Sequence, residues 1–303
     1  MKKFLKQACV FLMPLIILGV IFEVTLRQIP NDYEFKYSQI DLEKEFIKTL
    51  ILGSSHSMYG FNPEFFKEKA YNLGHVSQTI DLDYYLLEKY IKVLPKLETV
   101  IVRLSYTTMH EQIKTGPESW RLKDYNLYYN LNVSTNLKYK SEGLSVKLKN
   151  NLSRLKDYYL DQDKMIEVET SGWAFFKEER TINSIKQSGS IIAKRHTIKD
   201  DALVDENIEF LDEIIKLCKN EGVKVLLVTL PAHKSYIDNL DKHQLDIVVS
   251  AGERMKQKYN NCSYLNLLED DNFNGEDFYD ADHLNRKGAK KLSVLVDRFI
   301  SAL

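Results

Sequence analysis

Thr49-Leu50-Ile51-Leu52-Gly53-Ser54-Ser55-His56-Ser57 (TLILGSSHS, residues 49–57) sets the frame for the rest of the chain. A short apolar run closed by glycine reads as a strand buried on both faces, and the glycine as the turn that ends it. Further runs of this kind are Val100-Ile101-Val102, Val223 to Leu230 closed by Pro231, and Tyr264 to Leu268. Helical patterns lie between them. Residues 79–94 place Ile80, Leu87, Tyr90, Ile91 and Leu94 at helical spacing. Residues 205–220 place Ile208, Leu211, Ile215 and Cys218 on one face, with Asn220-Glu221-Gly222 as the stop. Helices are also expected at about 242–259 and from about Arg286, the latter with Ala289, Leu292, Val296 and Phe299 inward. Strands alternating with helices predict an α/β fold: a parallel sheet with helices on both faces and a ligand crevice at the carboxyl ends of the strands.

Composition narrows the function. Over 303 residues, 42 Lys and Arg face 43 Asp and Glu, a formal net charge of -1 that gives no footprint for nucleic acid. An apolar share of 44% with 28% charged residues excludes wholesale disorder. Cys9, Cys218 and Cys262 are too few for a disulfide scaffold, and no C-x-x-C pair points to zinc or redox chemistry. No cofactor is expected.

The N-terminus departs from this average. Lys2, Lys3 and Lys6 precede an apolar run from Ala8 to Phe22, extended by Val24 and Leu26 and interrupted by Glu23. A basic start before a run of this length, with no A-x-A cleavage site after it, reads as a signal anchor over residues 1–28. The lysines stay inside and the remaining chain lies outside the cytoplasm, with Glu23 and Arg27 snorkelling to the far interface. In an exported protein Cys218 and Cys262 stand in an oxidising compartment, and their pairing stays open. Residues 29–47, with Pro30 and Asn31 as breakers, read as a membrane-proximal linker, and 48–303 as one domain. Inside it, a stretch of about 110–200, rich in Lys, Asn, Tyr and Leu, is too long for a structureless loop and is expected as a mostly helical insertion.

Three stretches carry candidate chemistry. Gly53 to Ser57 follows the first strand, where a tight turn exposes a serine hydroxyl and gathers backbone N–H groups; an ordinary turn has the same composition. Asp280-Ala281-Asp282-His283-Leu284-Asn285 precedes the last helix. There Asp280 is placed to hold the Nδ1–H of His283 and leave Nε2 to take a proton from serine. Asp282, adjacent to the histidine, is expected to point elsewhere, and Asn285 to cap the helix. A metal site built on Asp277, Asp280, Asp282 and His283 lacks a second histidine at ligand spacing. Asn72-Leu73-Gly74-His75 is the third stretch, where glycine lets the backbone approach a ligand and donate. His56 reads as a pocket residue or a helix cap, and His75 as a substrate contact or a turn residue. His110, His196, His233 and His243 read as structural, with His233 alone near the crevice. Gly172-Trp173 reads as an aromatic wall or as core.

In this order the stretches ILGSSHSMYG, AYNLGHVSQTI and FYDADHLNRKGAKKLS resemble blocks of the SGNH (GDSL-type) hydrolase superfamily, most specifically in Asp280 and His283 with Leu284 and Gly288 following. The resemblance runs from about residue 48 to the C-terminus, the insertion excluded. It implies a three-layer α/β/α flavodoxin-like fold, with Ser55 as nucleophile, His283 as base, Asp280 as its orienter, and the amides of Ser55 and Gly74 as oxyanion hole. Ser54 stands where the family has Asp, a variant similar to that of membrane-anchored members acting on cell-surface polymers. No Asn stands near Leu104 to Thr108 where the family supplies a third donor, which leaves Ser105 and Thr107 as the candidates. Losing one such donor costs about 10²–10³ in turnover. The implied activity is ester hydrolysis or O-acyl transfer to or from an exported glycan, with a membrane acyl-donor protein as a candidate partner. The alternative is a catalytically weak glycan- or partner-binding protein, or a helper subunit.

Overall fold

The computed structural model describes residues 1–178 and 180–302, apart from the side chains of Leu5, Ala8 and Cys9. In chain order its helices and strands begin with α1 (Lys2–Arg27), α2 (Asp32–Glu43), β1 (Thr49–Leu52), α3 (Ser55–Gly60), β2 (Ala70–Asn72), α4 (Ile80–Tyr90) and β3 (Thr99–Arg103). Next come α5 (Leu122–Leu127), α6 (Glu142–Ser145), α7 (Leu148–Tyr159), α8 (Ile182–His196) and α9 (Val204–Asn220). The chain closes with β4 (Lys224–Thr229), α10 (Lys234–Ile237), α11 (Lys242–Lys258), β5 (Cys262–Asn266) and α12 (Arg286–Ser301). It divides into two compact units, Ser38–Gly116 with Val168–Leu303, and Met1–Tyr37 with Pro117–Glu167.

The larger unit holds a parallel sheet of order β2-β1-β3-β4-β5 among the described residues. That is the flavodoxin-like order, and its switch point, where the chain steps first to one side of β1 and then to the other, opens the crevice at the ends of β1 and β3. Ile51, Ile101 and Leu226 stand in register across three strands. They pack with Phe61 and with Leu292 and Val296 of α12. The opposite face, Leu50, Val100 and Leu227, is equally buried, so the strands are apolar throughout. Helices cover both faces, as expected, and α12 buries Ala289, Leu292 and Val296. Cys218 and Cys262 are buried free thiols.

Two expectations of organisation are corrected. The stretch expected as an irregular linker contains α2, because Asn31 is a cap rather than a breaker: its Oδ1 accepts from the amides of Tyr33 (3.1 Å) and Glu34 (3.0 Å). The expected insertion at about 110–200 is also not one body. Residues 168–200 belong to the larger unit, where Ile185 joins the core under the sheet. Asn72 donates its amide to Ser171 O (2.9 Å). Gly172, at φ +81°, lies so close that an added Cβ would stand 2.0 Å from Asn72 O.

In the smaller unit, α1 is long and apolar enough to cross a bilayer, and its side chains from Val10 to Val20 are exposed. Glu23 accepts from Ser141 Oγ (2.7 Å) and from the amides of Glu142 (3.0 Å) and Gly143 (2.9 Å). Arg27 donates to Glu23 (2.6 Å) and to Lys140 O (2.9 Å). These two charges are held by the segment before α7. Below them Glu142 is fully buried and accepts from Lys123 Nζ (2.9 Å), Tyr128 OH (2.6 Å) and Arg154 Nη1 (2.7 Å). Burial opposes the Glu142 charge, but Lys123 and Arg154 outweigh it and hold its pKa below the ordinary value.

Candidate active site

At the end of β1 the backbone turns sharply through Gly53, whose φ of +121° and 2.6 Å approach of a would-be Cβ to Ser57 Oγ admit only glycine. The chain enters α3 with Ser54 as N-cap, its Oγ accepting from the His56 amide (3.4 Å). Ser57 Oγ ties the turn back to Leu52 O (2.8 Å). Ser55 is thereby the first residue of α3, where the amides have no partner within the helix.

Ser55 Oγ lies 2.9 Å from His283 Nε2. On the other side of that ring, Nδ1 faces both oxygens of Asp280, at 3.0 and 3.2 Å. Asp280 Oδ1 also accepts the amides of Asp282 (3.1 Å) and His283 (2.8 Å), so one carboxylate shapes the turn and orients the ring. The structure brings Ser55, His283 and Asp280 together from the ends of β1 and the approach to α12, positions 225 or more residues apart in sequence.

A second pair stands against the first. The imidazole of His56 stacks on that of His283, centroids 4.6 Å apart. His56 Nε2 donates to Asp282 Oδ2 (3.1 Å), which leaves Nδ1 to face Ser54 Oγ (3.2 Å) and Arg103 Nη1 (3.5 Å). Asp282, expected to point elsewhere, is buried among three histidines: its Oδ1 lies 3.3 Å from His283 Nδ1 and its Oδ2 3.7 Å from His196 Nδ1. The turn held by Asp280 swings the neighbouring side chain inward, where an extended backbone would send it outward. Burial pulls His283 toward the neutral form, but the Asp282 charge and the Asp280 hydrogen bond prevail and push its pKa up to about 10. Burial dominates at His56, and with the His283 and Arg103 charges it overcomes Asp282 and brings the pKa down to about 4. The pair is therefore set to carry one positive charge, with His283 favoured over His56.

Arg103, at the carboxyl end of β3, was not singled out by sequence; its only signal is a charge ending an apolar strand. Its buried guanidinium donates to Ser105 Oγ and stands by Asp83, which burial pushes up to about 7 against the pull of Gln78 and Arg103. Ser105 Oγ also lies 3.4 Å from Thr107 Oγ1, so both candidate donors belong to a hydroxyl cluster around Arg103. The Gly74 amide donates to Asn72 Oδ1 (3.0 Å), while Asn72 Nδ2 donates to Ser57 O (2.7 Å) and Phe61 O (2.8 Å). The oxyanion role expected of Gly74 is thus opposed by a local bond that turns the amide toward Asn72. His75 is buried beside it, with its amide on Gly53 O (3.1 Å). His233 is a helix cap: its Nδ1 accepts from the Ser235 amide (3.1 Å) at the start of α10.

Of the two readings of Gly172-Trp173 the structure takes the core, and the aromatic wall comes from other residues. Trp173 is buried and donates its indole N–H to Tyr59 O (2.9 Å). Phe176 stacks on Tyr279 and stands edge-on to His283 at 5.8 Å, with Tyr59 at 6.0 Å. Folding also supplies the second histidine that the metal reading lacked. Ligand atoms of His56, Asp282 and His283 all lie within 4.8 Å of one another. Their spacing is that of hydrogen bonds, with His56 Nε2 on Asp282 and His283 Nδ1 on Asp280, so a cation there would have to displace the protons that orient both rings.

A family described as a protein of unknown function (DUF1574) matches residues 145–293. No curated protein matches the chain. Among solved structures, a "putative acylhydrolase" from Bacteroides fragilis NCTC 9343 is similar at 13% identity and a TM-score of 0.43, covering 88% of this chain and 94% of its own. A GDSL-like lipase from Bacteroides thetaiotaomicron VPI-5482 is similar at 10% identity and a TM-score of 0.43, covering 89% and 100%. A likeness of that size identifies neither substrate nor reaction.

Proposed function

We propose that the chain is an SGNH-type serine acyl-transfer enzyme, anchored through α1 with its larger unit outside the cytoplasm, and that Ser55, His283 and Asp280 carry the reaction. The observation behind this is the 2.9 Å contact of Ser55 Oγ with His283 Nε2 while Asp280 holds the opposite nitrogen. In the neutral form of His283, Nε2 takes the hydroxyl proton as Ser55 Oγ attacks an ester carbonyl. Collapse of the oxyanion expels the alcohol, which takes that proton, and leaves an acyl-serine. A second hydroxyl then gives its proton to His283 and attacks the acyl carbon, and Ser55 Oγ leaves by taking that proton back from His283: water for an esterase, a sugar hydroxyl for an O-acyltransferase. The aromatic wall beside His283 suits a sugar face, which favours an acetylated exported glycan as substrate or product. The lysines before α1 favour a cytoplasmic N-terminus. The test uses the full-length protein in nanodiscs, with aryl acetate hydrolysis and fluorophosphonate labelling of Ser55. Both are expected to vanish in Ser55→Ala and His283→Ala; activity surviving in either variant would sink the mechanism.

A second reading, a helper or binding subunit, is favoured by the Gly74 amide resting on Asn72 and the missing Asn. It predicts no labelling of the purified protein, and acyl transfer only on co-expression with a membrane acyl-donor protein.

A further inference from the structure

A row of exposed leucines in the smaller unit has no place in the chemistry above. On α7, Leu148, Leu152, Leu155 and Tyr159 recur at i, i+4, i+7 and i+11, a single stripe. Leu148 and Leu152 are 62% and 53% exposed, and Leu144 on α6 and Leu137 before it are 67% and 75% exposed. Isolated surface leucines need no explanation; a contiguous set does.

The stripe starts from the helix that crosses the bilayer. Tyr159 OH donates to Thr25 O of α1 (3.1 Å). Gly143, next to Leu144, stands against the ring of Phe22, and Glu23 fixes that level by accepting the Glu142 and Gly143 amides. The apolar surface of α1, still exposed at Val24, is therefore continued sideways by α6 and α7. Around it, residues 137–160 carry six basic residues (Lys138, Lys140, Lys147, Lys149, Arg154, Lys156) against two acidic ones, of which Glu142 is buried. An apolar stripe with basic flanks, ending in tyrosines, is the composition of a helix lying in the headgroup region of an anionic leaflet.

We propose that α6 and α7 form such an interfacial surface: Leu144, Leu148 and Leu152 enter the lipid beside α1, and the flanking lysines meet anionic headgroups. This rests on the reading of α1 as a membrane anchor. The test uses the full chain with Cys9→Ser, the remaining cysteines being buried, reconstituted in phosphatidylcholine–phosphatidylglycerol vesicles. Nitroxide labels are placed singly at Leu148→Cys and Leu152→Cys, at Leu15→Cys in α1, and at Asn150→Cys on the opposite side of α7. Collisional access to oxygen is expected to exceed access to a water-soluble nickel chelate at 148 and 152, as at 15, with the order reversed at 150. If 15 lies in lipid while 148 and 152 are as wet as 150, the anchor stands and the interfacial surface is overturned, leaving a protein partner as the occupant. If 15 is itself wet, the anchor fails and the proposal falls with it.

Discussion

The rings of His56 and His283 lie face to face, 11° from parallel, and each points a nitrogen at Asp282. Two imidazolium ions at 4.6 Å repel, so the pair carries a single positive charge, and the carboxylates around His283 decide where it rests. A base that keeps its proton to about pH 10 works slowly at neutrality. Replacing Asp282 by Asn removes the charge that most favours the imidazolium and keeps an acceptor for His56. The alkaline-rising limb of kcat/KM for an aryl acetate should then move down by more than about one pH unit, since one unit is about 1.4 kcal/mol of differential interaction. An unmoved limb assigns the proton elsewhere.

The same proton links to stability. The folded pKa of His283 lies above its ordinary value, so the stabilisation is complete below about pH 6.5 and is lost as the pH rises through about 10. Melting temperatures should fall between pH 7 and pH 10 in the wild type. The decline should be shallower in His283→Ala.

Ser54 does what an aspartate there could not. Its oxygen caps α3 while its hydroxyl proton points to His56 Nδ1, and a carboxylate can supply only the first. Ser54→Asp should keep the cap but raise the pKa of His56, placing two cations in one stack. Imidazole proton NMR should show a His56 titration well above pH 4, together with reduced turnover.

Asn72 joins β2 to the nucleophile turn through three bonds, two donated to α3 and its exit and one accepted from Gly74. Asn72→Ala takes the side-chain donor from the buried Phe61 carbonyl and leaves Ser57 O with the Phe61 amide alone; a buried carbonyl that loses its donor costs about 1–3 kcal/mol. Chemical denaturation should report a loss of several kcal/mol. Fluorophosphonate labelling of the remaining folded protein is expected to slow, because the turn that carries Ser55 loses its tie to β2; an unchanged rate assigns Asn72 to stability alone.

In the smaller unit, Glu142→Gln removes the charge that balances Lys123 and Arg154. Breaking a buried pair in this way costs about 3–5 kcal/mol. Thermal unfolding should show an early transition in this variant, with the serine labelling of the larger unit retained up to that temperature.

The centre of the sheet was legible because β1, β3 and β4 carry apolar runs buried on both faces, a local pattern needing no distant partner, whereas β2, Ala70–Asn72, is too short to show one. Asp280 and His283 were legible for the same reason, three residues apart in one turn. Asp282 was misread because adjacency sends side chains to opposite sides only in extended chain. His56 acquires its role from Asp282 and His283 at the far end of the sequence, and Arg103 acquires its role from Asp83 and His56, which only the fold brings beside it. The unit boundaries were hidden too, since Asn31 marks either a turn or a cap, and the partners of Glu23 lie 118–120 residues away.

That last separation orders events during synthesis. Glu23 leaves the ribosome early, near the end of the long apolar helix α1, whereas the hydroxyl and amides that satisfy it are made only after β1, β2 and β3. Until then Arg27, one turn further along the helix, and water are left to hold the carboxylate. Docking of the 141–143 segment is thus the step that completes the Glu23 contacts and ties the end of the apolar helix to the rest of the smaller unit.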